Sequence, residues 1–186
     1  SWQNRNNFKT PEGLGLFTIP TRSKNESKLI KFIEIDNAEF VKKKFLKFIS
    51  SNYNKSKFFN HYKDDFHNIV DIAFSHNNLF KLNFEFIKWI VKMIGLRAEI
   101  YLSSELKLKT NKIEKVIDIC KYFTADEYLS TIGSKAYMMG NENLFQKNNI
   151  KLIYHNYKHP KYKQLFGLFV EYACILDLLF NEGGES

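Results

Sequence analysis

The chain has 186 residues, of which 44% are hydrophobic and 16% aromatic, and its formal net charge is +8. This composition supplies enough apolar material for a core and excludes a wholly disordered chain, because such chains are poor in aromatic residues. No run approaches about 18 uncharged apolar residues, so no membrane span is predicted. The positive charge would suit an anionic partner such as a phosphate or a nucleic acid, but surface lysines alone specify neither.

The first half of the sequence predicts a short strand followed by helices. The segment Leu16-Phe17-Thr18-Ile19-Pro20 is typical of a strand that ends at a proline. Residues 31–35 fit a strand or a helix equally well. Beyond them, apolar residues recur at helical spacing over 38–49, 58–74 and 79–94, which predicts a helical middle segment.

The second half alternates between strand and helix patterns. Strands are predicted at 99–102, 127–131 and 150–155, and helices at 111–121, 141–148 and 164–180. Strands separated by helices indicate βαβ units with a parallel sheet. We therefore expect a single α/β domain over residues 1–186, with a parallel or mixed sheet flanked by helices in a three-layer-like arrangement. The helical segment at about 38–95 is expected as an insertion.

Polar loops follow the three strands predicted in the second half. Ligand sites in parallel sheets lie beyond the carboxyl ends of strands, which places Ser103-Ser104-Glu105, the turn from Ser130 to Ser134, and His155-Asn156-Tyr157 on one rim. The turn after Ser130, with Gly133 and Lys135, can offer backbone N–H groups and a lysine to a phosphate. It lacks the established glycine-rich nucleotide motifs, so an ordinary strand-to-helix turn is the alternative.

The histidines His155 and His159 lie four residues apart, a spacing that can bind a metal on a helix. Pro160 disfavours a helix at His159, and four neighbouring lysines would repel a cation, so neither a metal nor another cofactor is predicted. Histidine titrates near pH 6.5, at about the pH where enzymes work, so His159 is the candidate general acid or base.

Two further places carry candidate binding groups. Arg5, beside Asn4 and Trp2, offers a guanidinium fork that matches a phosphate or a carboxylate, although a frayed terminus is the alternative. Asp177 lies among apolar residues and needs a partner if it is buried, either as a structural anchor or as part of a site. The cysteines, Cys120 and Cys174, form no disulfide pattern, which suits a reducing compartment, and we expect a cytoplasmic protein.

Taken together, these segments resemble the WbqC-like family along essentially the whole chain, most loosely over 38–95. Members usually open with a strand and a His-Gln-Pro-type motif, which this sequence lacks, and they often carry a histidine where Phe45 stands here. If the histidine of that motif is catalytic, this sequence holds only part of the site. The resemblance is carried by Trp2-Gln3-Asn4-Arg5-Asn6, by Phe17-Thr18-Ile19-Pro20, by the tyrosines and His-Pro between Tyr154 and Gln164, and by Leu176-Asp177-Leu178-Leu179-Phe180-Asn181 with Gly183.

The resemblance implies a bacterial enzyme of surface-polysaccharide biosynthesis that acts on a nucleotide-linked amino sugar. The expected reaction transfers an acyl or aminoacyl group from an activated donor to the sugar amine. The alternatives are a nucleotidyltransferase-like enzyme and a basic nucleic-acid-binding module without catalysis. The expected catalytic residue is His159, and the expected substrate-binding residues are Trp2, Asn4, Arg5, Asn83, Ser104, Glu105, Ser130, Gly133, Ser134, Lys135, Tyr137, Tyr157, Gln164, Asp177 and Asn181.

Overall fold

A computed structural model describes residues 2–22 and 29–185, and short 3₁₀ turns at Trp2–Asn4, Ile30–Phe32 and Ile132–Ser134 accompany its helices and strands. The strands are β1 (Arg5–Thr10), β2 (Gly13–Thr18), β3 (Glu127–Thr131) and β4 (Lys151–His155). The helices are α1 (Ala38–Tyr53), α2 (Phe59–Ser75), α3 (Leu79–Met93), α4 (Lys112–Tyr122), α5 (Lys135–Met138), α6 (Glu142–Lys147) and α7 (Ile175–Glu182). The α/β class expected from the sequence is therefore confirmed.

The chain divides into two compact units. The first unit contains residues 1–98 and 159–186, and the second contains residues 99–158. The expected helical segment over 38–95 lies in the first unit and forms α1, α2 and α3.

Near its beginning the first unit contains an antiparallel hairpin, so the segment from Arg5 onward is paired rather than frayed. Strands β1 and β2 pair from Arg5 opposite Thr18 to Thr10 opposite Gly13. Phe8 and Phe17 are both buried, and the register places them on the same face of the hairpin. The hairpin therefore presents one aromatic face to the helices.

Phenylalanine rings join the hairpin to the helices. Phe45 of α1 is the centre of this packing, with its ring 5.0 Å from that of Phe17 and 6.0 Å from those of Phe66 and Phe86. Apolar residues at helical spacing thus form the continuous buried face that the sequence pattern predicts. The buried aromatic residues of this cluster include Phe8, Phe17, Phe45, Tyr53, Phe59, Tyr62, Phe66, Phe74, Trp89 and Phe180.

The helix predicted over 164–180 is wrong in its first half, because helix α7 begins only at Ile175. The side-chain amide of Gln164 both donates to the carbonyl of Val170 and accepts from its backbone N–H, and these bonds close a loop. Phe166 and Gly167 also have positive φ angles, which interrupt a right-handed helix. The segment between Gln164 and Cys174 is therefore a loop tied by its own side chain.

The second unit contains the parallel pair β3–β4, with Glu127 opposite Lys151 and Thr131 opposite His155. Helices α5 and α6 connect the two strands, as expected of a βαβ unit. The buried cluster beneath them comprises Ile113, Ile117, Cys120, Met138, Phe145 and Ile150.

The strand predicted over 99–102 is not formed. Ile100 and Tyr101 are exposed, and the Tyr101 hydroxyl donates to the side chain of Glu99 within the same segment. An alternating pattern without a buried face gains nothing from strand pairing. Ser104 and Glu105 therefore follow no strand, and the rim expected at three strand ends is present only at the ends of β3 and β4.

Candidate functional site

A cleft of about 320 Å³ opens in the first unit. Its walls come from the start of the chain, from α3, and from the beginning of α7. The backbone N–H of Cys174 donates to the carbonyl of Asn7 at 2.8 Å, which fixes the α7 wall against β1. The cleft brings together four predicted site residues, namely Trp2, Asn4, Arg5 and Asn83.

The interior of the cleft is apolar. It is formed by side chains from β1, β2, α1, α2, α3 and the start of α7, most of them buried. We call this surface the apolar floor; it comprises Phe8, Phe17, Ile19, Phe45, Phe74, Leu82, Phe86, Ile87, Ile90, Cys174, Ile175 and Leu176.

The amides of Asn4 and Asn83 are oriented by hydrogen bonds to the backbone. Asn83 Nδ2 donates to the carbonyl of Gln3 at 2.9 Å, which joins α3 to the start of the chain. Asn4 Nδ2 donates to the carbonyl of Ile19 at 2.9 Å, and the Ile19 N–H donates back to the Asn4 carbonyl at 2.7 Å. These bonds determine which side-chain atom of Asn4 is the nitrogen.

The other polar atom of the Asn4 side chain is Oδ1, which takes no part in these bonds. It is buried and has no hydrogen-bond partner among the residues that the structure describes. A buried acceptor without a donor costs about 1–3 kcal/mol. Asn4 lines the cleft, so an N–H or O–H group of a ligand that reaches this oxygen would satisfy it.

Arg5 and Trp2 supply the exposed part of the cleft. Trp2 is 81% exposed, and its indole is available for stacking on a flat ring. Arg5 is exposed as well, and it also lines a neighbouring hollow together with Trp2, Asn6, Asn7 and Leu16. Among the described residues that line the cleft, Arg5 alone carries a formal charge, so an anionic group would bind beside it.

Asp177 lies behind the cleft wall rather than in it. The side chain is fully buried, and its carboxylate accepts hydrogen bonds from the Tyr53 hydroxyl at 2.9 Å, the Tyr162 hydroxyl at 2.7 Å and Gln164 Nε2 at 2.9 Å. Burial, first of all, raises the pKa of Tyr53 and of Tyr162 above the ordinary range, and Asp177 adds to this. Asn181 Nδ2 donates to the backbone carbonyl of Asp177 at 2.7 Å. Gln164, Asp177 and Asn181 therefore form an anchor that holds α7 in place.

His159 is not among the residues that line the cleft. Its ring lies between aromatic side chains, with centroids 6.1 Å from Tyr162, 5.6 Å from Phe169 and 5.5 Å from Tyr172. Its Nδ1 is 2.9 Å from the carbonyl oxygen of Pro160. The histidine is therefore a member of the same aromatic loop that the Asp177 anchor holds.

The remaining predicted site residues belong to the second unit. Ser130 is buried, and the 3₁₀ turn Ile132–Ser134 with Lys135 follows at the carboxyl end of β3. The hydroxyls of Ser130 and of Tyr154, its register partner on β4, are buried with no hydrogen-bond partner in the described ranges. Lys135 Nζ lies 5.9 Å from the centre of the Tyr154 ring. Four predicted residues, Ser104, Glu105, Tyr137 and Tyr157, are exposed on this unit.

Sequence reasoning did not identify the apolar floor. Phe45 and Leu82 occupy helical positions whose spacing indicates a core, and nothing in that spacing distinguishes a core residue from one that lines a cleft. The resemblance to relatives with histidine at position 45 was the one signal that pointed to this position. Within residues 2–22 and 29–185, no group of three or more histidine, cysteine, aspartate or glutamate side chains could hold a metal ion.

Comparison with known proteins identifies the class. The WbqC-like protein family matches residues 1–186, and the chain belongs to this family. It is similar to the uncharacterized protein Rv1507c of Mycobacterium tuberculosis, with 30% identity over 187 residues, which covers 100% of this chain and 79% of that protein. No solved structure matches it. In the described ranges, no helix has the length and hydropathy needed to cross a membrane.

Proposed function

We propose that this protein is a cytoplasmic enzyme of bacterial surface-polysaccharide biosynthesis that transfers an acyl or aminoacyl group to the amine of a nucleotide-linked sugar. The observation that carries the proposal is the cleft where Trp2, Asn4, Arg5 and Asn83 meet. Its volume of about 320 Å³ falls in the range of small-molecule sites. Membership of the WbqC-like family supports the same proposal.

Each residue at the mouth of the cleft has a distinct part in this proposal. The Trp2 indole stacks on the base or the sugar ring. The Arg5 guanidinium pairs with the diphosphate, whose oxygens match its fork of N–H groups. Asn4 and Asn83 contact polar groups of the sugar. Gln164, Asp177 and Asn181 make hydrogen bonds within the protein. We therefore propose that they position the α7 wall and do not contact the substrate.

The proposed reaction is an acyl transfer with a simple balance of bonds. The amine nitrogen attacks the carbonyl carbon of the activated donor, a C–N bond forms, the bond to the leaving group breaks, and the amine loses a proton. The described residues that line the cleft include no histidine, aspartate or glutamate, so the proposal takes its proton acceptor from outside that lining. His159 is the residue proposed for this role.

The second unit carries proposed binding residues of its own. The turn from Ser130 to Ser134, including Gly133, and Lys135 are proposed to bind phosphate, because backbone N–H groups and a lysine meet at the carboxyl end of a parallel strand. Ser104, Glu105, Tyr137 and Tyr157 are proposed as further binding residues of this unit, and their exposure leaves them accessible.

The test is a calorimetric titration of the protein with UDP-glucosamine. Arg5→Gln is expected to weaken binding about tenfold to a hundredfold, because a charge-assisted hydrogen bond contributes about 1.5–3 kcal/mol. Arg97→Gln is the matched control, since it removes the same charge from an exposed arginine that does not line the cleft. Equal affinities for the wild type and Arg5→Gln would remove Arg5 from the site.

The same preparation separates the alternatives. His159→Ala is expected to retain UDP-glucosamine binding and to lose acyl transfer when a thioester donor is added. Release of pyrophosphate from a nucleoside triphosphate would instead indicate nucleotidyl transfer. Binding of a short RNA that disappears with added salt, together with no response to UDP-glucosamine, would replace the enzyme with a nucleic-acid-binding module.

A further inference from the structure

The cleft has two chemically different parts. Asn4, Arg5 and Asn83 contribute polar groups to its lining, and the apolar floor defined above forms the rest. Five of the twelve residues of the floor are phenylalanines, and Phe8, Phe17 and Phe45 among them are almost completely buried. A ligand that fits this cleft therefore has a polar end and an apolar end.

A bare sugar ring does not match the interior. Each hydroxyl buried against an apolar surface without a hydrogen bond costs several kcal/mol by transfer measurements. A hydrocarbon group on the same surface gains the free energy of its own burial. The group that enters the floor is therefore apolar, and in an acyl-transfer reaction that group is the acyl chain.

We infer that the apolar floor receives the acyl chain of an N-acylated amino sugar, with the amide N–H directed to Oδ1 of Asn4. This inference rests on the proposed function and deepens it by naming the product, and with it the group transferred: an amino sugar whose nitrogen has received a short hydrocarbon acyl group.

Asn4 provides the hydrogen-bond acceptor for the polar end of the ligand. Its Nδ2 is committed to the carbonyl of Ile19, so its Oδ1 accepts and cannot donate in this orientation. That oxygen is buried and has no partner within the described part of the chain. An amide that joins a sugar to an acyl chain carries one N–H donor next to the first carbon atoms of the chain. It offers a donor to Asn4 and hydrocarbon to the floor at the same time.

Ile87 provides a place to test the floor without disturbing the core. It lines the cleft from α3 and is 49% exposed, so a polar side chain is tolerated there. Ile72 on α2 is 42% exposed and does not line the cleft, which makes it the matched control. Both positions receive the same substitution, Ile87→Gln and Ile72→Gln.

The experiment compares calorimetric affinities for UDP, UDP-glucosamine, UDP-N-acetylglucosamine and UDP-N-butyrylglucosamine. Each buried methylene is expected to strengthen binding about fourfold, so the N-butyryl ligand should bind about fifteenfold more tightly than the N-acetyl ligand. In Ile87→Gln this ratio should fall below about threefold, whereas Ile72→Gln should retain it. N-acetylglucosamine and N-butyrylglucosamine without the nucleotide should show the same order.

The outcomes distinguish the inference from the proposed function. Equal affinities for the three UDP sugars, each tighter than UDP, would overturn the acyl assignment and leave the nucleotide-sugar proposal standing. A gain with chain length among the free sugars, without any effect of UDP, would support the acyl site and contradict the nucleotide part of the proposed function. Equal binding of UDP and all the UDP sugars would show that neither the sugar nor its acyl group contributes to affinity, and this would overturn the inference. If no ligand binds, both are wrong.

Discussion

The hydroxyl of Tyr53 lies 2.9 Å from Oδ1 of Asp177, although 124 residues separate them in the sequence. The same hydroxyl accepts a hydrogen bond from the backbone N–H of Lys9 at 2.9 Å. One tyrosine at the end of α1 thus joins β1 to α7, two elements that both contribute to the cleft. The shape of the cleft therefore depends on a buried polar cluster that does not itself line it.

Asp177→Asn is expected to lower the free energy of unfolding by about 3 kcal/mol, because the new amide nitrogen cannot accept from Tyr162 and Gln164. Urea denaturation at pH 7 measures the loss. Asp65→Asn on the exposed face of α2 is the control and should change stability by less than about 0.5 kcal/mol. Indistinguishable midpoints for the two variants would show that Asp177 is not an anchor.

Stability should fall as the pH rises above about 10. Burial raises the pKa of Tyr53 and of Tyr162, so the folded protein retains protons that an unfolded tyrosine loses near pH 10. The stabilisation is therefore complete below about pH 10 and decreases above it. Urea denaturation at several alkaline pH values measures the slope. Tyr53→Phe has one proton fewer to retain and should show a shallower decline; an unchanged slope would contradict this assignment.

Phe45→Ala is expected to destabilise the protein by about 3–5 kcal/mol, because it leaves a cavity at the centre of the aromatic packing. Phe45 is 7% exposed, whereas Phe40 on the same helix is 62% exposed. Phe40→Ala is therefore the control, with little expected change. The midpoints of thermal unfolding compare the two, and similar shifts would mean that Phe45 is not central to this core.

Neither cysteine should react readily with iodoacetamide at pH 8 while the protein is folded. Burial raises the pKa of the Cys174 thiol to about 12, and it also raises the pKa of Cys120. Only the thiolate is nucleophilic, so the reactive fraction at pH 8 is very small. Mass spectrometry should find both cysteines modified in urea and neither modified without it. Rapid labelling of native Cys174 would show that the cleft wall opens to solvent.

The fold could be predicted where the spacing of apolar residues corresponds to a helix face that is buried in the structure. The spacing of apolar residues identified α1, α2 and α3 because those residues do line one core. The same kind of pattern was misleading at 99–102, where no face is buried, and at 164–174, where the Gln164 amide closes a loop. The bonds between the Gln164 side chain and the backbone leave no periodic signal, and the exposure of Ile100 and Tyr101 depends on tertiary packing, so spacing could predict neither segment.

The candidate site was predictable only at its mouth. Trp2, Asn4 and Arg5 were expected from the chemistry of their side chains, and Asn83 through the family resemblance. The structure places all four around one cleft. The apolar floor depends on how a hairpin and three helices pack, which is a property of long-range contacts. The apolar spacing around Phe86 indicates a buried helix face. The same spacing would occur if that face packed against other side chains or if it lined a cavity.

The two walls of the cleft are made far apart in time as well as in sequence. A ribosome adds about 5–20 residues each second, so the roughly 170 residues from Arg5 to Cys174 take about 8–34 s to synthesise, and only then can Cys174 reach Asn7. Until then the phenylalanine floor has one side open to water. A growing chain that has not yet reached Leu176 therefore exposes an apolar aromatic surface instead of a ligand site. We expect chaperone binding and aggregation to be most favoured during this interval.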